Sequence, residues 1–249
     1  MNLHPPKRPT APRTVLITGA SGVIGRALCL RFAKSGWRIG IHYYSRAEAA
    51  HETAFAVKEA GAEATEYQAD IRDPREVEQM TRSCAAAWGS LDVLVCNAGA
   101  AIGTLLVRTD ADDWDRIIAT NLTGTFHCLQ AAAAGMIERR RGAIIVMGSY
   151  AGFQGSTGQT AYAASKAGLL GLVRSAAREW GEHNLRVNLV LPGWRQTAMT
   201  APVAAAPNIR QTHLLGRAPR LSSVVATVYR LACNRDTSGQ VWNVDSRIF

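Results

Sequence analysis

Seven short, mostly apolar runs punctuate the chain. Between them lie longer stretches in which apolar positions recur every three or four residues. The first run, Thr14 to Thr18, leads into glycines and then into RALCLRFAKSG, which has helical spacing. RIGIHYY, ATEYQAD, LDVLVCNAG, GAIIVMGS, LRVNLVLPG and QVWNVD follow as predicted strands. The predicted helices are AEAAHETAFAVKEAG, PREVEQMTRSCAAAWG, the long DDWDRIIATNLTGTFHCLQAAAAGMIERR, AYAASKAGLLGLVRSAAREWGEH and SSVVATVYRLAC. The second of these begins on acidic residues and ends at a glycine, as helices prefer. Strands apolar along their whole length, separated by helices, form a parallel sheet buried on both faces. Right-handed crossovers then make it doubly wound, so the predicted fold is a single α/β Rossmann-type domain of about seven strands with helices on both faces.

Two stretches fall outside this alternation. Residues 1–12 are basic and rich in proline, with no apolar centre, and are expected to be a disordered tail rather than a signal peptide; the domain then spans 13–249. From Trp194 to about Gly216 there are two prolines and little periodicity. In a sheet of this kind that segment lies beyond the carboxyl ends of the strands, where ligands bind, and is a candidate substrate lid.

Composition narrows the class further. With 249 residues, 47% of them hydrophobic and 19% charged, the chain is long enough for one large core. No apolar run is long enough to span a membrane. Cys29, Cys84, Cys96, Cys128 and Cys233 form no CxxC pair and the six histidines no metal-binding pair, so neither a disulfide framework nor a metal site is expected, and the expected compartment is the cytoplasm. The net charge of +9 suits an anionic ligand such as a phosphate-bearing cofactor or an acidic carrier. No aromatic-plus-basic platform or basic recognition helix accompanies it, which argues against nucleic acid.

Chemistry concentrates in three places. Gly19, Ser21, Gly22, Val23 and Ile24 lie between the first strand and the first helix, where glycines let backbone approach a pyrophosphate at a helix amino end. At the end of the second strand, Tyr43, Ser45 and Arg46 stand without a carboxylate. An acid there would hold the ribose hydroxyls of NAD(H), whereas a hydroxyl and a guanidinium suit the extra phosphate of NADP(H), which is therefore the favoured cofactor. Tyr162 and Lys166 are four residues apart in a helical stretch and share a face. An ammonium beside a phenol lowers the phenol's pKa, which would make the pair an acid/base near neutral pH.

These motifs, running from Arg13 to Asp245, identify the chain as resembling the short-chain dehydrogenases/reductases. The glycine pattern is TGxxGxxG, with Val23 where members of this length usually carry glycine. The resemblance implies a catalytic tetrad of Asn121, Ser149, Tyr162 and Lys166, with Ser149 thirteen residues before Tyr162. It further implies cofactor contacts from Asp70 and Ile71 at the adenine, from Asn97, Ala98 and Gly99 after the fourth strand, from Pro192 and Gly193, and from Thr197 at the carboxamide. Tyr43 matches the family's acidic ribose position.

Within the family, the segments DDWDRIIATNLTGTF and LLGRAPRLSSVV are similar to those of 3-oxoacyl-(acyl-carrier-protein) reductases. That implies reduction of a ketone, a 3-oxoacyl thioester above all, with free ketones, quinone-like compounds or secondary alcohols as alternatives. Arg139, Arg140 and Arg141 are the expected docking cluster for an acidic acyl carrier protein, with His183 at a second docking position. After the PG pair, Trp194, Arg195 and Gln196 depart from the family, as does the closing Ser246-Arg247-Ile248-Phe249 where a glycine pair is usual. Relatives imply a homotetramer. A non-catalytic dinucleotide-binding regulator would be expected to lack Tyr162 or Lys166, and both are present. A sugar-nucleotide epimerase would need a further substrate domain.

Overall fold

The computed structural model of the chain describes residues 12–193 and 212–248. Its centre is one sheet of seven parallel strands: β1 (Thr14–Ile17), β2 (Arg38–Tyr43), β3 (Ala64–Gln68), β4 (Val93–Cys96), β5 (Gly142–Met147), β6 (Leu185–Leu191) and β7 (Val241–Asn243). Their order across the sheet is β3-β2-β1-β4-β5-β6-β7, so the chain winds outward from β1 first one way and then the other. The seven predicted strands are all present, and most are a residue or two shorter than the apolar runs that predicted them.

Helices cover both faces, as double winding requires. The α1 (Val23–Ala33), α2 (Ala47–Glu59) and α8 (Leu221–Cys233) helices bury Leu28, Phe32, Val57 and Val228 against one face. The α3 (Pro74–Trp88), α5 (Gly124–Glu138) and α7 (Thr160–Trp180) helices bury Val77, Leu129, Met136 and Val173 against the other. Asp73 caps α3 by accepting from the Arg75 N–H at 2.8 Å, Pro74 opens it, and Gly89 ends it at φ 83°. This start and stop match the sequence expectation.

The long helix predicted from residue 112 onward divides. Helix α4 (Ala111–Ile118) is joined to α5 by a π-helical turn, Ala119–Thr123, and Asn121 lies in that turn, fully buried. Periodic patterning does not resolve one extra residue within a helix. A four-residue helix, α6 (Ala151–Gln154), is likewise new, since one turn carries no period. It packs tightly on α7: a Cβ on Gly152 would stand 2.7 Å from the Lys166 carbonyl carbon.

All five cysteines are free, and among the described residues no helix is long and apolar enough to cross a membrane. The α6–α7 contact gives the first prediction. Gly152→Ala forces these helices apart and should lower stability by about 1–3 kcal/mol, as core overpacking does. Urea denaturation with a circular-dichroism readout measures it; an unchanged midpoint would contradict the contact.

Candidate active site

β1 and β4 are neighbours whose following segments leave in opposite directions, so a crevice opens beyond their carboxyl ends. Backbone closes its floor. Gly19 has φ +63°, and a Cβ there would stand 2.8 Å from Ala98 Cα. A Cβ on Gly25 would stand 2.5 Å from the Gly19 carbonyl oxygen. These two positions need glycine for want of space. Val23 does not, because its side chain is 51% exposed and turned out of the loop. The departure from the usual glycine pattern therefore falls at an exposed position, unlike the crowded Gly19 and Gly25. Asn97 stitches the loop to β4: its Nδ2 donates to the carbonyls of Thr18 (3.0 Å) and Gly19 (3.1 Å). Thr18 Oγ1 in turn accepts from the Asn97 and Ala98 N–H groups.

Beside the loop lies a cleft of about 300 Å³. Of the predicted cofactor residues, it is lined by Gly19, Ser21, Ser45, Arg46, Asp70, Ile71, Ala98 and Gly99. Tyr43 is not among the lining residues; alternation along β2 turns its ring onto the core while Tyr44 lines the cleft instead. Gly22, Val23, Ile24, Asn97, Pro192 and Gly193 border the loop and strand ends without lining this cleft, and Thr197 lies outside the described residues. His42, Tyr44, Arg72, Ala100, Arg116 and Thr120 line it without having been singled out from the sequence.

Charge in the cleft is lopsided. Three guanidinium-bearing residues, Arg46, Arg72 and Arg116, line it with a single lining carboxylate, Asp70, and Arg116 is paired with Asp113 at 2.6 Å. Arg72 grips that carboxylate through Nε and Nη2 at 2.5–3.0 Å, and these hydrogen bonds hold Asp70 below the usual carboxylate range. Arg72 Nη2 also reaches the Tyr44 hydroxyl at 3.3 Å. The Arg46 guanidinium extends back over the glycine loop, 3.5 Å from where a Gly22 Cβ would stand.

The four candidate catalytic residues come from three places in the chain, the π turn, the segment after β5 and helix α7, and meet next to this cleft. Ser149 follows β5 and its hydroxyl hydrogen-bonds Tyr162 on α7. Lys166, one turn on, has Nζ 5.8 Å from the Tyr162 ring centre and donates to the Met147 carbonyl at 2.8 Å. Asn121 Oδ1 and Lys166 Nζ converge on Gly99, 3.2 and 3.8 Å from its missing Cβ. The Asn121 amide donates to Ser165 Oγ (3.0 Å) and the Ala100 carbonyl (2.9 Å) and accepts from the Ala100 N–H (2.7 Å), which fixes the π turn against α7.

Burial governs the titration of this group. It draws the Lys166 ammonium down to about 8, with Cys96 opposing. It pushes the Tyr162 phenol up, opposed by the hydrogen bond from Ser149. The sequence reading has the ammonium lowering the tyrosine; in this geometry Lys166 is turned to the Met147 carbonyl, and desolvation dominates.

Tyr150, the residue after Ser149, donates from its hydroxyl to the Ile248 carbonyl at 2.8 Å, and the Arg247 guanidinium stacks 4.0 Å above its ring. Arg247 is anchored by the buried Asp245. The departure of the last residues from the family pattern thus forms a clasp beside the candidate serine. Arg139, Arg140 and Arg141 lie elsewhere. They precede β5, at the amino ends of the strands, the end opposite the cleft. Arg139 donates to the Leu91 carbonyl at 2.8 Å, Arg140 to the Glu182 carbonyl, and Arg141 pairs with Asp92 at 3.6 Å. They do not flank the mouth of this chain's own cleft, because one strand length separates helix end from strand tip.

This fold and this arrangement are those of a nicotinamide-dependent oxidoreductase, and the chain belongs to the short-chain dehydrogenase family, whose model matches residues 13–208. Among its relatives is the 3-oxoacyl-[acyl-carrier-protein] reductase FabG of Staphylococcus aureus, 40% identical over 188 residues, 76% of each chain. The 3-oxoacyl-[acyl-carrier-protein] reductase of Synechocystis sp. is 36% identical over 236 residues, 94% of this chain and 95% of that one. Among solved structures, a putative short-chain alcohol dehydrogenase from Sinorhizobium meliloti superposes with a TM-score of 0.88 at 32% identity, covering 95% and 96% of the two chains. Levodione reductase superposes with a TM-score of 0.89 at 28% identity, covering 95% and 97%.

The two crowded glycines give a prediction that separates them from Val23. Gly25→Val should abolish measurable nicotinamide-nucleotide binding, whereas Val23→Gly should change the dissociation constant by less than about three-fold, since an exposed side chain contributes little. Fluorescence titration with NADPH and NADH reads both; a large effect at Val23 would contradict the loop geometry.

Proposed function

We propose that the chain is an NADP(H)-dependent reductase that converts a ketone to a secondary alcohol, a 3-oxoacyl thioester being the first substrate to test. The observation that carries this reading is the meeting of Ser149, Tyr162 and Lys166 at the edge of a cleft with three arginines and one carboxylate. Crowded backbone at Gly19 and Gly25, beside the unpaired N–H groups of the first turn of α1, fits a pyrophosphate. Arg46 and Ser45 would hold a ribose phosphate, which Arg46 can engage as a planar fork.

When bound, a reduced nicotinamide supplies the hydride that the substrate carbon accepts. Ser149 donates to the carbonyl oxygen and orients it between the two hydroxyls. Tyr162 gives its proton to that oxygen as the alkoxide develops, so hydride and proton together complete the alcohol. The Lys166 ammonium stabilises the phenolate left behind and returns a proton to it, and solvent then reprotonates the Lys166 amine, so each turnover consumes one hydride and one solvent proton. Asn121 acts on this set through Ser165 and the π turn, holding α7 at the depth that brings Tyr162 and Lys166 to the cleft.

An acidic acyl carrier is the proposed macromolecular partner, and a homotetramer the proposed assembly; Trp114 on α4 and Phe126 on α5 are large apolar side chains 37% and 43% exposed, which suits association of those helices. Docking at Arg139–Arg141 would then have to serve the site of another copy. That location favours a second reading, a free ketone needing no carrier, and it suits the likeness to levodione reductase.

The test is NADPH consumption with an acetoacetyl thioester and with a panel of free ketones. Turnover is expected with NADPH, and Tyr162→Phe should reduce kcat by about 100-fold or more, the scale of general acid catalysis. Because Lys166 is held at about 8, it is charged below that pH and neutral above it, so kcat/KM for reduction should decline as pH rises through about 8. A flat profile from pH 7 to 9.5 would remove Lys166 from the reading. Arg46→Ala should raise the KM for NADPH by about ten-fold, the loss of one charge-assisted contact, and leave that for NADH unchanged; equal effects on both would argue against NADP(H) preference.

A further inference from the structure

β2 is buried along both faces, and on the face toward α3 its residues are Gly40 and His42. A Cβ on Gly40 would press on Cys84 and Leu16, so this is apolar territory. A histidine 2% exposed in such a place costs stability unless both ring nitrogens are satisfied. Here both are. Nδ1 lies 3.0 Å from the Gly19 backbone nitrogen and Nε2 lies 3.0 Å from the Ala69 carbonyl oxygen. The partners fix the tautomer: the Gly19 N–H can only donate, so Nδ1 accepts; the Ala69 oxygen can only accept, so Nε2 carries the proton. Burial pushes the His42 pKa down, in keeping with a neutral ring.

The main chain of the same residue takes the next link. The Ala20 N–H donates to the His42 carbonyl at 2.8 Å. Two consecutive N–H groups of the glycine loop, those of Gly19 and Ala20, are thus both satisfied by His42. That leaves the N–H groups of the first turn of α1 as the ones presented outward, since a helix's first turn has no internal partner for them. The ring also ties the loop to the end of β3 through Ala69, next to the cleft residue Asp70.

We propose that His42 is a positioning residue for the dinucleotide: its Nδ1 fixes the Gly19 peptide so that the loop meets the pyrophosphate already in its binding geometry. The inference deepens the reading of this cleft as the nucleotide site and rests on it. It makes cofactor affinity, rather than the chemical step, the property that His42 sets, because the imidazole acts through Gly19 and is not among the four candidate catalytic groups.

Two substitutions divide the ring's roles. His42→Asn keeps an acceptor at the position of Nδ1 and loses the bond to Ala69. His42→Gln keeps a donor at the reach of Nε2 and loses the acceptor for Gly19. His42→Gln should raise the dissociation constant for the nucleotide by about ten-fold, the scale of one lost hydrogen bond to a buried donor. Its kcat at saturating nucleotide should stay within about three-fold of the unmodified chain, because the group acts before chemistry. His42→Asn should bind within about three-fold of the unmodified protein, although it too has lost one hydrogen bond. Fluorescence titration with NADPH and NADH, kcat at saturation and thermal melting are measured on all three proteins. Equal weakening in both variants, following the loss of melting temperature, would make His42 merely structural and overturn the proposal. So would unchanged binding in His42→Gln. If the unmodified chain binds neither nucleotide, the reading of the cleft fails and this inference with it; if it binds and the variants do not separate, only the inference fails.

Discussion

Everything in the site depends on how closely two pieces of backbone approach where β1 and β4 part. Thr18 and Asn97 cross-link the two strand ends, and Gly19 rests on Ala98 with no space for a side chain. In a parallel sheet each helix returns over one face or the other, so only at this parting are the strand tips left uncovered. The cleft, the amino end of α1 and the β4 exit that carries Gly99 toward Lys166 are all set by that seam. A misfit there would be passed undiminished to every group that touches a ligand, because close-packed interiors transmit strain rather than absorb it.

The second organising constraint is burial. Lys166, Asn121, Ser165 and His42 are polar groups almost without contact with water, and each has protein partners. Desolvation gives Lys166 a proton affinity close to neutral, and the hydrogen bonds give the others a fixed orientation. Orientation fixed in advance is what lets such groups act on a transition state without reorganising.

The architecture was legible in the amino-acid sequence because its signals are redundant. Seven apolar runs separated by helical periods permit one layered arrangement, and losing a residue from any run would not alter it. The four candidate catalytic residues stood out for a similar reason, as four residue types placed on predicted elements. Finer features were not. Tyr43 ends β2 and Tyr44 follows it, and nothing in the sequence announces which of the two turns to the core and which to the cleft. His42 stands in an apolar run, RIGIHYY, where its partners are separated from it by 23 and 27 residues; a buried-strand histidine just before the cleft residues is the only hint. The arginine triplet reads as a basic patch, yet each member has a partner at the foot of the sheet that no local pattern foretells.

The π turn at Ala119–Thr123 has a broader consequence. One residue more than an α-helical turn contains amounts to about 100° of rotation about the helix axis. Helices α4 and α5 are therefore out of phase, each free to present its own face: α5 to the sheet, α4 to α7 and the surroundings. The turn works as a phase coupler. Sequence upstream of it can drift, reshaping what the chain meets outside, while the packing register downstream, and the depth of Asn121, stay as they were.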